Sequence, residues 1–395
     1  MARRKSYYKK IKKLSPQSII LSIIFLIIAV AGYYVYDKFF KEDDPFIAPK
    51  GELEFHFLEL GNGFAGDCVY VKAGENDILI DAGSRTGSLD TITAYLNQRI
   101  TDNKLEYVIV THGHEDHIAC FGGSEKGQSL FDLYEVEVII DFPRSKSTSK
   151  ILTRYYSERD AEVNLGAKHY TALECYNNQN GAQRTYSLSD DGNIKLEILY
   201  NYYYEHEAST ENDYSVCVQF HHGSKKFLFT GDLEESGEEK LAAFYDFSQV
   251  ELFKAGHHGS ETSSNEILLK EIKPKICVAC CCAGSVEYTD YLPKTFPSEE
   301  FYNRISVYTD EIYATSTINR ILDTEEPTVE YTLNNEKINI TNYKNGTELK
   351  SLHGNVTVVS SGDRGVYTVC TGEQVVLKET QWFKEMSVLW AGSPR

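Results

Sequence analysis

The segment Thr111-His112-Gly113-His114-Glu115-Asp116-His117 sets three imidazoles and the Asp116 carboxylate directly behind the apolar run Tyr107-Val108-Ile109-Val110. Neutral imidazole nitrogens and ionised carboxylates are the usual donors to zinc and its first-row neighbours, so this density points to a metal centre. If a strand ends at Thr111, His112 and His114 stand two apart on extended backbone and face one ion, with Gly113 relieving the crowding between them. Asp116 and His117 fall where the chain turns into a helix through Ile118 and Ala119, and so face a second ion. The competing account, a loop that is merely histidine-rich, suits one or two histidines better than this spacing behind a strand.

Two later segments supply what the first lacks. Phe227-Leu228-Phe229-Thr230-Gly231-Asp232 is an apolar strand ending in a carboxylate suited to bridge two cations. Lys254-Ala255-Gly256-His257-His258-Gly259-Ser260 follows another strand and offers two more imidazoles, with Lys254 available for charge balance. Gly61-Asn62-Gly63-Phe64-Ala65-Gly66 matches a dinucleotide-binding fingerprint, and Asp81 follows at the end of a later strand. That fingerprint needs its last glycine to open a helix, whereas Cys68-Val69-Tyr70-Val71 is β-branched and aromatic. The glycines read instead as a tight loop near the ions, with Asp81 accepting a hydrogen bond from a metal-binding group.

The elements that must position these groups alternate in an α/β pattern with antiparallel segments mixed in. Strands are expected at Leu53 to Leu60, Cys68 to Val71 and Ile78 to Ile80, with Gly74-Glu75-Asn76-Asp77 turning between the last two. Leu89 to Ile100 suits a helix that Ser88 would cap. Further strands and helices carry the pattern to Ile276–Cys282, where four of the nine cysteines read as small buried strand residues. Val329 to Leu333 and Lys337 to Thr341 suggest a polar hairpin inserted at about 323–352. Val356 to Val359 and Val366 to Val369 suggest a terminal hairpin completing a sheet.

The first thirteen residues carry seven bases and no acid, and Ile19 to Tyr36 is free of charge. This predicts a basic cytoplasmic segment at 1–18, a single membrane-spanning helix at 19–40, a polar linker at 41–50 and one exported domain at 51–395. A cleaved signal peptide ending near Ala29-Val30-Ala31 is the other reading of the same stretch. The net charge of -18 makes the exported domain acidic, which opposes a large nucleic-acid footprint.

The set Phe55-His56-Phe57-Leu58-Glu59-Leu60-Gly61-Asn62-Gly63, Ile78-Leu79-Ile80-Asp81-Ala82-Gly83, the His-x-His-x-Asp-His run, Asn212-Asp213-Tyr214-Ser215, Thr230-Gly231-Asp232 and His257-His258-Gly259-Ser260 resembles the metallo-β-lactamase-fold hydrolases. Within them it is most similar to the exported domain of ComEC-type DNA-uptake proteins. The resemblance implies an αββα sandwich and two divalent ions, usually zinc or manganese. It implies His112 and His114 on one ion, Asp116 and His117 on the other, Asp232 between them, and His257 or His258 as a further ligand. Asn212 and Ser215 stand where most of the superfamily has a third histidine, and would touch metal, water or substrate. The loop Tyr288-Thr289-Asp290-Tyr291-Leu292-Pro293 has no histidine where relatives often carry one, and Asp290 is offered as its substitute.

Paired cations about 3.5 to 4 Å apart activate a shared water and hold the oxygens of an in-line displacement, which suits phosphodiester hydrolysis. Asp116 and Asp232 would then orient the nucleophile, and whichever of His257 and His258 is free of metal would serve the departing oxygen. The expected substrate is a short single-stranded nucleic acid or a cell-wall phosphoester, with the bilayer and a membrane protein as partners. A choline-phosphate esterase is a second reading, with Tyr200, Tyr202, Tyr203 and Tyr204 beside Glu205 and Glu207 as a cup for a quaternary amine. A membrane-tethered scaffold without turnover is a third.

Overall fold

A computed structural model describes residues 53–125, 127–322, 329–333, 336–340 and 343–392. The expected membrane segment at 19–40 lies outside the described residues, and among these no helix is long and apolar enough to cross a membrane.

The first sheet takes β1 (Leu53–Phe57), β2 (Val69–Ala73), β3 (Asn76–Ile80), β4 (Lys104–Ile109), β5 (Glu135–Asp141) and β6 (Lys168–Thr171). The second takes β7 (Thr185–Ser187), β8 (Ile194–Ile198), β9 (Val218–His222), β10 (Lys225–Phe229), β11 (Leu252–Lys254), β12 (Ile276–Ala283) and β13 (Glu311–Leu322). β14 (Val329–Leu333) and β15 (Glu336–Ile340) pair with each other, and β16 (Tyr343–Ser351) returns along β13 at the edge of the second sheet. β17 (Val356–Ser360) and β18 (Val366–Cys370) return to the first sheet, where β17 pairs with β1. The spatial orders are β18-β17-β1-β2-β3-β4-β5-β6 and β16-β13-β12-β11-β10-β9-β8-β7, so the chain folds as a mixed α/β protein with two eight-stranded sheets.

Alternation along the strands sorts side chains between two cores. Phe227 and Phe229 face the large core that includes Phe55 and Phe57, while Leu228 between them faces a second core. Along β12, Ile276, Val278 and Cys280 go to the first core, and Cys277, Ala279 and Cys281 to the second. Both faces of β12 are therefore buried, which explains its unbroken run of small and apolar residues. All nine cysteines are buried and unpaired. The second core also holds Leu241, Leu268, Leu269, Phe301, Trp382 and Trp390, from helices at Glu235–Phe244, Glu266–Ile272, Glu299–Ile305 and Gln381–Gly392.

Two expectations shift at the helix that follows β3. It runs Leu89–Leu96, shorter than the apolar spacing predicts, and Ser88 makes no side-chain capping bond. Instead the Ser88 hydroxyl accepts a hydrogen bond from Asn62 Nδ2 at 2.8 Å, which ties the glycine-rich loop to this helix start.

The strand directions decide where the chemistry collects. β3, β4, β5 and β6 are parallel neighbours, as are β10, β11, β12 and β13. Asp81, the 111–117 segment, Asp232 and the 257–258 pair follow the carboxyl ends of β3, β4, β10 and β11, the edge where open α/β sheets bind ligands. β2 runs antiparallel to β3 with Val69 opposite Ile80, so the residues before β2 reach that edge too.

The sheets are clamped by aromatic contact. Phe55 is fully buried, with its ring centroid 5.3, 4.8 and 5.4 Å from those of Phe220, Phe227 and Phe229. Truncating Phe55 to alanine is expected to lower unfolding free energy by about 3–5 kcal/mol in denaturant titrations of the full chain. A loss below about 1 kcal/mol would mean that this contact does not hold the sheets together.

Candidate metal centre

His117 is the fixed point of the site. Asp81 Oδ1 accepts from Thr111 N and its Oδ2 from Thr111 Oγ1, both at 2.7 Å, and Oδ2 lies 2.8 Å from His117 Nδ1. Nδ1–H of His117 therefore donates to Asp81, and Nε2 is presented to Asp232 Oδ2 at 3.0 Å and His258 Nε2 at 3.3 Å. Asp81 achieves this with a left-handed backbone, φ 57°. No side chain fits at Gly83 two residues on, because a Cβ there would lie 1.6 Å from the Asp116 carbonyl oxygen.

His258 is oriented in the same manner. Its Nδ1 lies 3.0 Å from the Cys280 carbonyl and 3.1 Å from Asp67 Oδ1, leaving Nε2 3.3 Å from both Asp116 Oδ2 and Asp232 Oδ2. His257 and His258 both adopt left-handed backbone, φ 47° and 56°, a conformation that costs a residue with a side chain about 1–3 kcal/mol. This turn sends the two imidazoles to different places. His258 is buried in the cluster with His117, whereas His257 is partly exposed, with Nε2 3.9 Å from Asp232 Oδ2 and Nδ1 3.1 Å from Thr262 Oγ1.

His112 Nε2 lies 3.0 Å from His114 Nδ1 and 4.0 Å from Asp232 Oδ2, with its ring centroid 4.1 Å from that of His117. A single carboxylate oxygen is thus within 4.0 Å of nitrogens from both the His112–His114 pair and the group made by His117, His258 and Asp116. Two donor atoms bonded at about 2.05 Å to a tetrahedral zinc-sized ion lie about 3.3 Å apart. The nitrogen and oxygen separations of 3.0 to 3.3 Å around His117 and His258 match that edge. Asn212 Oδ1 is buried without a hydrogen-bond partner, while its Nδ2 donates to Glu234 Oε1 at 3.0 Å. The residues fit two divalent cations. His112 and His114 would contribute to one, Asp116, His117 and His258 to the other, with Asp232 shared.

Ser215 serves the backbone: its Oγ accepts from Asp232 N at 3.0 Å and sets the angle of that carboxylate. Lys254 is buried, paired with Asp67, and its ammonium is 3.5 Å from Asp232 Oδ1. Burial opposes its charge, but Asp67 and Asp232 outweigh this and hold the ammonium protonated.

Sequence reasoning missed Asp67. Asp67, His117, Asp232 and His258 all bring ligand atoms within 4.8 Å of one another. Since Asp67 is committed to Lys254 and lies on the Nδ1 side of His258, we read it as orienting that imidazole, with Asp116 as the donor at Nε2. The signal was available in the hairpin register of β2 and β3, which carries Asp67 to the same edge as Asp81. Glu211 was missed as well; its carboxylate accepts from Gly113 N, Ser145 Oγ and Lys146 N at 3.3, 2.6 and 2.6 Å, bracing the His112–His114 turn. Asp290 is exposed; the residue of its loop that reaches the cluster is Tyr288, whose hydroxyl donates to Asp116 Oδ2 at 2.9 Å.

The model of the metallo-beta-lactamase superfamily matches residues 61–125 and 206–283, which contain every candidate ligand above. Over these residues the chain carries the metallo-beta-lactamase fold. Among curated relatives, 72 residues are 28% identical to ComE operon protein 3 of Bacillus subtilis, covering 18% of this chain and 9% of that one. Competence protein ComA of Neisseria gonorrhoeae is 37% identical over 78 residues, 19% of this chain and 11% of its own length. The exodeoxyribonuclease WalJ of Streptococcus pneumoniae is 29% identical over 86 residues, 22% of this chain and 31% of its own. The matched stretch thus spans less than a third of each of these relatives.

Charge around Asp232 sets the condition for loading this centre. Burial would lower the His117 pKa, but the Asp232 and Asp81 carboxylates overcome it and raise His117 to about 10. His258 is likewise raised against burial by Asp232 and Asp67, while burial and the neighbouring His117 charge lower His112. At pH 7 the metal-free site therefore holds protons on His117 and His258 that a cation must displace. Titrating the metal-free chain with Zn2+ in weak buffer containing an indicator dye is expected to release about two protons per chain, and about one fewer in His258→Gln. Release near zero in the wild type would show that these imidazoles do not bind the metal.

Proposed function

We propose that this chain is a metal-dependent hydrolase of phosphodiesters, close in type to the ComEC-like nucleases. The observation that carries the reading is the position of Asp232 Oδ2, 3.0 Å from His117 Nε2, 3.3 Å from His258 Nε2 and 4.0 Å from His112 Nε2, which itself lies 3.0 Å from His114 Nδ1. One oxygen so placed is what two cations sharing a carboxylate require. Bound there, zinc or manganese would supply a water-derived nucleophile near neutral pH and neutralise charge on a phosphoryl group.

The chain's own residues divide the remaining work. Asp81 and Asp67 hold the orientations of His117 and His258, and Lys254 offsets the carboxylates without occupying a donor position. His257, less buried and lying beside Asp232, is placed to stabilise the departing oxygen with a hydrogen bond. Thr262 and Glu234, at 3.1 and 3.6 Å from its Nδ1, hold that ring.

Short single strands are the favoured substrate, because the domain is acidic and ill suited to a long duplex. The names of the competence-type and exodeoxyribonuclease relatives agree with a nucleic-acid substrate. The choline-phosphate reading loses support from the tyrosine cluster. Tyr203 and Tyr204 are buried, and Tyr202 is stacked on His206 with centroids 3.9 Å apart and has Lys240 Nζ 5.1 Å from its centroid. A ring already engaged by a ring and a cation is a poor wall for a quaternary amine. Residues 19–40 would tether the enzyme to the cell membrane with residues 51–395 outside, near a membrane partner.

The test is side-by-side assay of the metal-loaded chain on bis-p-nitrophenyl phosphate, a single-stranded oligonucleotide and a choline-phosphate ester. Cleavage of the first two is expected, abolished by chelator and restored by Zn2+ or Mn2+. Asp232→Asn should reduce it by about 10²–10³-fold or more. Less than one bound metal per chain with no turnover would instead favour a scaffold, and cleavage of the choline ester alone would reassign the substrate.

A further inference from the structure

Tyr288 is the residue at the rim whose placement the preceding roles leave unexplained. It lies in the loop after β12, more than half exposed at 56%, so burial of its ring is not what retains it. Only its hydroxyl turns inward, to donate to Asp116 Oδ2 at 2.9 Å. That carboxylate oxygen is also 3.3 Å from His258 Nε2, which sets the phenol at the open edge of the His117–His258–Asp116 group.

The loop that presents this phenol is fastened on several sides. Gly284 N donates to the Phe296 carbonyl at 2.7 Å, and Ser285 Oγ to the Gly63 carbonyl at 2.8 Å. Glu287 accepts from Ala65 N at 2.8 Å and pairs with Arg85, whose guanidinium lies 4.5 Å from the Phe64 ring centroid. The Tyr288 ring packs on Phe296 with centroids 5.3 Å apart, and Phe296 in turn contacts the His257 and His258 rings at 5.6 and 5.9 Å. The glycine-rich loop, the post-β12 loop and the histidine turn thus form one wall that holds the hydroxyl in place.

An anion arriving at this edge meets the carboxylates of Asp116 and Glu287, and the Arg85 guanidinium is already engaged by Glu287. It needs a donor that adds no negative charge and is not locked to backbone. The phenol meets both conditions, since its one hydrogen bond goes to the carboxylate that a cation would draw upon. We infer that Tyr288 is a catalytic residue that contacts substrate. Its hydroxyl leaves Asp116 to donate a hydrogen bond to a non-bridging oxygen of the phosphoryl group, and so selects tetrahedral oxyanions over neutral esters or amides. The inference rests on the phosphodiesterase reading and adds to it a specific donor.

Tyr288→Phe keeps the ring and its contact with Phe296 while removing the hydroxyl. The full chain, wild type and variant, is loaded with Zn2+; metal content is measured by mass spectrometry, inorganic phosphate binding by calorimetry, and bis-p-nitrophenyl phosphate turnover by absorbance. Expected are unchanged metal content and melting temperature, phosphate affinity weaker by about 10-fold or more, and kcat lower by about 10–100-fold. Phosphate affinity equal to wild type overturns the inference, and so does loss of metal in the variant, which would make Tyr288 a support for Asp116 only. A wild-type chain that binds neither metal nor phosphate overturns the hydrolase reading itself, and is told apart because it needs no comparison with the variant.

Discussion

Everything in this structure is arranged around one carboxylate oxygen, Asp232 Oδ2, and the electrostatic problem it poses. Imidazoles from the 112–117 segment and the 257–258 turn converge on it, Asp81 and Asp67 hold two of them in orientation, and most of the cluster is buried. Burying such charges costs several kcal/mol per ion unless each finds a partner. In the metal-free protein the partners are the protons on His117 and His258 and the ammonium of Lys254. The same cluster that is self-neutralised by protons is complementary to divalent cations, because exchanging one for the other leaves the geometry of the donors in place.

The scaffold accepts local strain to hold that geometry. Asp81, His257 and His258 all occupy left-handed backbone, which side-chain-bearing residues normally avoid, and Gly83 is pressed against the Asp116 carbonyl where only a hydrogen fits. Such conformations persist when surrounding packing over-determines them. Here that packing comes from parallel strands buried on both faces, with Phe55 bridging the sheets below the site. The rigid layer sets the heights of the strand ends, and the short turns beyond them have little freedom left.

Some of the site was legible because its information is local. His112, His114, Asp116 and His117 sit within one strand-to-helix turn, and Asp232 closes a plainly apolar strand. The β2–β3 hairpin carries Asp67 to the edge of Asp81, but its role, like that of Glu211, was not legible, because each acts on a partner far away in sequence: Asp67 on Lys254 and His258, Glu211 on Gly113. The tyrosine cluster at 200–204 left two readings open for the same reason. A run of aromatic residues does not say which rings are covered: Tyr203 and Tyr204 are buried, whereas Tyr202 stays exposed with His206 stacked on it and Lys240 nearby. The Asp290 substitution likewise failed on direction, since the residue two positions earlier is the one turned inward.

The sequence by itself determined the chemical inventory: imidazoles and carboxylates at strand ends, glycines where backbone must approach closely, and an α/β alternation that brings strand ends to one edge. Residue type and period are properties of short segments, so they survive without the fold. Tertiary structure alone sent His258 into the buried cluster and left His257 partly exposed, brought Asp67 and Lys254 beside Asp232, and turned Tyr288 towards Asp116. Those choices depend on strand register and on which neighbours compete for each polar atom, and both are set only when distant segments pack together.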